Sequence, residues 1–404
     1  MKSAVALPGI LALFALVLLE ANRTTNLMGR FAAPMLAPAT VPATGARAGS
    51  GAVPPLDWSM RCSALDLDAV RRKHEKRLSA SAAAARRQRR NHNIIMLLTA
   101  DSGHEAQPGE LPAAPSILPE LYQCALEAAA LANPGMNVTL FIRGEAPPLA
   151  QRFPHDNPGL RWLASLPNVH IRWTGTDQAF FERAAGSLPA WWRDGAWRRD
   201  VHLASHLSDA MRWQLLWDAG GIWSDLDAVF AKPIPPAWLG RTFAVSNGYF
   251  GQLGCGVVGD YRHGALTNNI LRRFSVEYDP DGWGSVGPAL LTKVFGSLPE
   301  DTTYRPPWWR IMPLTWGADK WNNVLKMKGA PREESAVAEA VEDAVSVHFF
   351  SSAWMGPAHG DDTSIAGILK VNRCPITACS AEPSTRALFG NATAHVWKTL
   401  NIYT

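Results

Sequence analysis

The clearest pattern in the chain begins at Asn93. Residues 93–99 read Asn-Ile-Ile-Met-Leu-Leu-Thr, an apolar run with polar ends, which predicts a strand buried on both faces. A helical stretch follows at 118–131, then strands at 137–143 (NVTLFIR) and 169–173 (VHIRW). Strands alternating with helices predict an α/β fold with a parallel, Rossmann-like sheet. Ligands of such sheets sit at the carboxyl ends of the strands, which places Thr99 and Ala100 beside a nucleotide site. Further on, Leu207, Met211 and Leu215 recur at i, i+4 and i+8 and predict a helix with a core face, with Asp209 and Arg212 three apart on an adjoining face. Gly220-Gly221 stops it, because glycine takes positive φ without a Cβ clash. The period then switches to two, so that Trp223, Asp225 and Asp227 share one strand face and Ile222, Ser224 and Leu226 the other.

The ends of the chain read differently. Residues 4–19 are uncharged and almost wholly apolar, with Lys2 before them. Sixteen helical residues rise about 24 Å, short of a bilayer core of roughly 30 Å but tolerable in a thin membrane. Residues 1–20 are either a transmembrane signal anchor or a cleaved signal peptide, and Leu19-Glu20-Ala21 is a poor cleavage site, which favours the anchor. Both readings place the rest of the chain in an oxidising lumen. Residues 21–92 turn to Ala, Pro, Gly, Ser and Arg without sustained apolar periodicity and read as a low-complexity stem, with a solvated helix in the basic stretch ending Arg86-Arg87-Gln88-Arg89-Arg90. A catalytic domain over 93–380 and a C-terminal extension over 381–404 complete the division.

Composition narrows the functional classes. A chain of 404 residues that is 47% hydrophobic supports a sizeable core, and a net charge of only +4 argues against a nucleic-acid binder. Asn22, Asn137 and Asn391 head glycosylation sequons. The five cysteines are too scattered for a disulfide-built fold or a zinc site; one must stay unpaired unless it bridges chains, and Cys374 and Cys379 are near enough in sequence to bridge. Neither a dinucleotide fingerprint nor a Walker phosphate loop is present.

The candidate chemistry lies in His206 to Phe230. Two carboxylates about 7 Å apart on one strand face can converge on a hard divalent cation, which can in turn hold a diphosphate. Asp-x-Asp occurs three times, but Asp66-Leu67-Asp68 lies in the stem and Asp279-Pro280-Asp281 has turn chemistry. Only Asp225-Leu226-Asp227 stands among Trp, Ile and Leu after a helix and a Gly-Gly stop, where two acids are costly without a partner.

This stretch resembles the core motif of the glycosyltransferases with a DxD sugar-binding region, the group that holds lactosylceramide 4-alpha-galactosyltransferase and alpha-1,4-N-acetylglucosaminyltransferase. The likeness extends to Asn93 to Thr99 with Cys124 to Ala129, to Gly282-Trp283-Gly284 through Gly287-Pro288-Ala289-Leu290-Leu291-Thr292, and to Pro313-Leu314-Thr315-Trp316, Val347-His348 and Cys374-Pro375 in order. It implies a GT-A type fold, a single-pass type II protein of the Golgi membrane with a lumenal catalytic domain, a UDP-sugar donor, Mn²⁺ or Mg²⁺, a glycan or glycolipid acceptor, and retention at the anomeric carbon. Carried onto this sequence, Asp225, Asp227 and His348 hold the metal, and Asp225, Asp227 and Asn247 are the catalytic set. Asp209, Arg212 and Gly248, with Gly221, Ser224, Trp283 and Gly287, bind the nucleotide-sugar. Where the family commonly has His-Val-Trp-Asn, this chain has His348-Phe349-Phe350-Ser351, and Ser285-Val286 replaces a polar pair, so the resemblance leaves the sugar and acceptor open.

Other features are weighed as packing. Most of the tryptophans, including Trp191, Trp192 and Trp197, read as core, and His359-Gly360-Asp361-Asp362 as a surface turn. Two other classes compete: a metal-dependent phosphohydrolase, which would need more acids or histidines near Asp225, and a lectin-like membrane protein that has lost turnover.

Overall fold

A computed structural model of the chain describes residues 65–85, 93–99, 110–112, 118–145, 158–246, 252–311, 344–349 and 373–380, all within the unit Pro55–Thr404. The first strand forms as expected, β1 (Asn93–Leu98). Its alternation divides the core: Ile94, Met96 and Leu98 enter one apolar cluster and Ile95 and Leu97 the other, on opposite faces of the sheet. β2 (Asn137–Ile142) and β3 (Val169–Trp173) continue the parallel run, and β4 (Gly221–Ser224) flanks β1 on the other side, also parallel.

Beyond β4 the sheet departs from the all-parallel expectation. β5 (Ala228–Phe230) leaves it. β6 (Thr242–Ser246) and β7 (Leu253–Asp260) pair antiparallel, β7 is antiparallel to β4, and β8 (Thr303–Tyr304) closes the order β3-β2-β1-β4-β7-β6-β8. The connection from β6 to β7 is too short for a crossover helix, so the two strands must run in opposite senses. β9 (Ser346–His348) pairs antiparallel with β5 in a separate two-stranded sheet.

The stem assignment needs correction over part of its length. α1 (Leu67–Ala85) is a helix docked on the domain, although its composition looks solvated. Its His74 is buried against the Asn168 side chain at 2.8 Å, Arg71 donates to Ser165 at 2.7 Å with its guanidinium over Trp162, and Arg77 donates to the Leu131 carbonyl. Long cationic side chains thus supply apolar stems and specific donors at once, which hydropathy alone does not register. Asp66 caps this helix through the Ala69 amide, which gives the first Asp-x-Asp a local structural task. The anchor at residues 1–20 and the C-terminal extension lie outside the described residues; among those described, no helix is long and apolar enough to cross a membrane.

The chain is closed on itself by α2 (Glu120–Ala132) and α5 (Pro375–Ser380), the helices α3 (Leu203–Ala219) and α4 (Ala265–Glu277) lying between them in sequence. The buried Glu127 carboxylate accepts from the Ile376 and Thr377 amides and the Thr377 hydroxyl, at 2.8, 2.7 and 2.7 Å. Burial raises its pKa to about 7, against the pull of these donors. Beside it Cys374 bridges to Cys124, not to the nearby Cys379, and Cys255 is free. The bridge spans 250 residues, so Cys124→Ser with Cys374→Ser is expected to lower unfolding stability by about 3–5 kcal/mol, read from denaturant melts of the oxidised and variant proteins. Equal midpoints would show that this bridge adds nothing to the fastening of α5.

Candidate active site

α3 presents Leu207, Met211 and Leu215 to the core, each fully buried, and ends where expected. Gly220 has φ 63° and Gly221 φ 117°; a Cβ on Gly220 would strike the Arg262 amide and one on Gly221 the Asn93 carbonyl, so both glycines serve the close approach of strand to helix. Gly221 therefore stands at the amino end of β4, about 13 Å of strand away from Asp225. Ser224, fully buried, closes β4.

The acidic pair itself is not on a strand. β4 stops at Ser224, and Asp225 to Asp227 form a turn closed by the Ala228 amide on the Asp225 carbonyl at 3.1 Å, before β5 starts toward β9. The turn leaves the Asp225 side chain partly exposed, whereas Asp227 is buried beside His348. Convergence is achieved by pairing instead. The register sets Ala228 opposite His348, and the Phe349 amide donates to the Asp227 carbonyl at 2.8 Å, so the imidazole lands between both acids. His348 Nε2 lies 3.4 Å from Asp225 Oδ2 and 3.2 Å from Asp227 Oδ1.

One ligand atom from each of Asp225, Asp227 and His348 falls within 4.8 Å of the others, the one such group among the described residues. Gly256 floors the cluster: a Cβ there would meet the His348 ring at 2.5 Å and crowd Asp225 Oδ2. Two carboxylates, one imidazole and a side-chain-free floor fit a divalent cation. Burial pushes the His348 pKa down, but the Asp227 charge and the hydrogen bonds to both acids outweigh it and hold the group up at about 10.

The sign of the pH dependence follows. The imidazolium's contribution to the metal-free fold is complete below pH 6.5 and is lost as pH rises through about 10, because the folded state holds the proton more tightly than the unfolded chain. A cation bound through Nε2 must displace that proton. Apparent Mn²⁺ affinity is thus expected to rise about tenfold per pH unit from pH 6.5 to 9, with one proton released per ion, as calorimetry in buffers of differing ionisation enthalpy would measure. A pH-independent affinity would remove His348 from the ligand set.

Behind the acids lies a buried charge ladder. Arg212 donates to Asp209 Oδ1 at 2.6 Å and to Asp225 Oδ1 at 3.0 Å, its guanidinium 5.1 Å from the Trp223 ring centre. Trp223 Nε1 donates to the same Asp225 oxygen at 2.7 Å. Both Asp209 and Arg212 are 5% exposed, and burial raises the Asp209 pKa while Arg212 opposes the rise. Asp209 also meets Gly287, where a Cβ would collide with its carboxylate. Gly287 stands in a π-helical turn, Ser285–Ala289, held by the Trp213 indole on the Val286 carbonyl at 2.9 Å.

A second buried network, not anticipated from sequence, fixes the approach to that turn. Asp200 Oδ2 accepts from His206 Nδ1 at 2.8 Å and from the Tyr278 hydroxyl at 2.5 Å, while His206 Nε2 faces the Gly282 carbonyl at 3.2 Å. Burial pushes His206 down in pKa, but Asp200 more than compensates and the group rises. The loop is tied within itself too, by the Asp281 amide on Asp279 and the Asp279 amide on Ser285, so the third Asp-x-Asp is a turn. Spacing offered a hint, since His206 is three residues before Asp209 on one helix; the partners Asp200 and Tyr278 did not. Trp283, at the tip, is 65% exposed. Thr99 follows β1 at the carboxyl edge shared with β4, its carbonyl taken by Arg143. Asn247 and Gly248 lie outside the described residues. Trp191, Trp192 and Trp197 are buried in an aromatic cluster with Phe181 and are closed to sugars.

Residues 119–244 match the family model described as glycosyltransferase sugar-binding region containing DXD motif. The chain is 30% identical over 273 residues to lactosylceramide 4-alpha-galactosyltransferase of Rattus norvegicus, covering 64% of this chain and 70% of the relative. It is 27% identical over 186 residues to the Homo sapiens alpha-1,4-N-acetylglucosaminyltransferase, covering 44% and 49%. Among solved structures it is similar to PaToxG glycosyltransferase, at 14% identity and a TM-score of 0.37 over 78% of this chain and 96% of that one, a likeness too distant to bear on the site.

Proposed function

The chain belongs to the glycosyltransferases with a DXD-containing sugar-binding region, and from that membership we propose that it moves galactose or N-acetylglucosamine from a UDP-sugar to a glycolipid or glycoprotein glycan, with retention at the anomeric carbon. The observation that carries this reading is the meeting of Asp225, Asp227 and His348 at one point backed by Arg212. A divalent cation held by these three would supply charge neutralisation for the leaving nucleoside diphosphate. Arg212 fixes the Asp225 rotamer and Trp223 satisfies the same oxygen, so the acid is oriented before any ligand arrives. Asp209, set between Arg212 and Gly287, forms the wall on the donor-sugar side, and the Gly282 to Gly287 segment carries Trp283 beside it. Asn247 and Gly248 complete the donor side in this reading, and residues 1–20 anchor a lumenal domain over 93–380 in the Golgi membrane.

Slow donor hydrolysis by the purified protein tests the proposal. UDP-galactose or UDP-N-acetylglucosamine should be cleaved at the sugar–phosphate bond, with UDP-glucose slower, and only with Mn²⁺ or Mg²⁺ present. Binding of the glycan without any donor turnover would instead indicate the lectin-like alternative, and cleavage between the two phosphates a phosphohydrolase.

A further inference from the structure

The sheet carries a second concavity, along β1, β2 and β3. It is a cleft of about 520 Å³ that runs from the amino ends of β1 and β2, beside Ala219 at the end of α3, along β2 and β3 to Phe141 and Arg172. Asn93 and Asn137, the first residues of those strands, lie on its rim, whereas the acidic turn follows the carboxyl end of β4. None of Asp225, Asp227 and His348 is among its lining residues.

Its lining combines three kinds of group. Ile95 and Phe141 are buried and make an apolar floor on the α3 side of the sheet. Thr139 and Asn137 add a hydroxyl and an amide. The charged groups are Arg172, Arg183 and Arg262 with His170, against one carboxylate, Asp218. That leaves an excess of two positive charges in one cavity even with His170 neutral. Burial, and secondarily the Arg172 charge, lower the His170 pKa.

The charged and the polar groups each select a feature of the ligand. Several guanidiniums around one concavity match a carboxylate or oxyanion. Phe141 is too buried to stack on a ring, so a sugar is selected by the Asn137 amide and the Thr139 hydroxyl, which suit ring hydroxyls. A volume of this size holds one or two sugar residues, and its concave shape does not match a flat anionic membrane surface. We infer that this cleft is a second carbohydrate site that binds an acidic sugar residue, independent of the catalytic cluster at Asp225.

Titration calorimetry of the full chain with glucuronic acid, glucose and sulfate, without donor or Mn²⁺, tests the inference. Saturable glucuronic acid binding is expected, with glucose and sulfate each at least about tenfold weaker, since one lacks the charge and the other the ring. Arg172→Ala and the exposed-loop variant Arg262→Glu should each weaken glucuronic acid by about tenfold or more at an unchanged melting temperature. Asp225→Asn should leave it unaltered, so that failure of the catalytic reading and failure of this one are told apart. Sulfate as tight as glucuronic acid would reduce the cleft to a simple oxyanion site and overturn the sugar assignment, as would full affinity in Arg262→Glu. Asn137 heads a sequon at the rim, so binding that emerges only in Asn137→Gln protein would show that the cleft seats the chain's own glycan and would equally overturn the proposal.

Discussion

Asp225→Asn and Asp227→Asn are each expected to lower metal-dependent sugar transfer by about 10³-fold or more, at temperatures where each variant remains folded. Asparagine keeps the shape but removes the charge that both a cation and the His348 imidazolium require. The backbone contacts that form the turn, Asp225 N to Gly256 O at 2.7 Å and Phe349 N to Asp227 O, are untouched by either change. His348→Ala should separate differently, raising the Mn²⁺ midpoint while excess Mn²⁺ recovers part of the rate. Asp66→Asn is the matched control: asparagine caps a helix about as well as aspartate, so activity and stability should both persist. Normal turnover in either turn variant would falsify the metal assignment.

Arg212→Ala has the largest expected effect on the fold. It strips the partner from Asp209 and Asp225 together and leaves a carboxylate that is 5% exposed without its cation. Breaking a buried pair in this way costs about 3–5 kcal/mol, because the remaining charge is still desolvated. Lysine should not rescue it, since one ammonium cannot reproduce the two separate N–H contacts made by Nη1 and Nη2. Adding Asp209→Ala to Arg212→Ala should return part of the lost stability while activity stays low, a coupling that a double-mutant cycle of denaturant melts reads directly. Additive losses would mean that the two side chains are energetically independent.

Residue patterns alone specified β1, β2 and β3, the core face of α3 and its glycine stop, because each depends on periodicity within one short segment. They also singled out Asp225-Leu226-Asp227 from its two lookalikes, since acids set among apolar neighbours stand out without coordinates. Docking of α1 was hidden because its contacts are single polar atoms on long side chains, His74 to Asn168 and Arg71 to Ser165, rather than an apolar stripe. The Cys124–Cys374 bridge was hidden because spacing favours neighbours, while the fold brings together residues 250 apart. The turn at Asp225 was missed for a related reason: period two continues through Asp227, but the ladder with β7 ends with the Asp225 amide on the Gly256 carbonyl, and the chain then turns away to pair with β9. What completes the site, the pairing of β5 with β9, sets His348 beside acids more than 120 residues earlier. Sequence determined which groups are chemically capable; the long-range backbone pairing decided which of them meet, because hydrogen-bond register is a property of two strands at once.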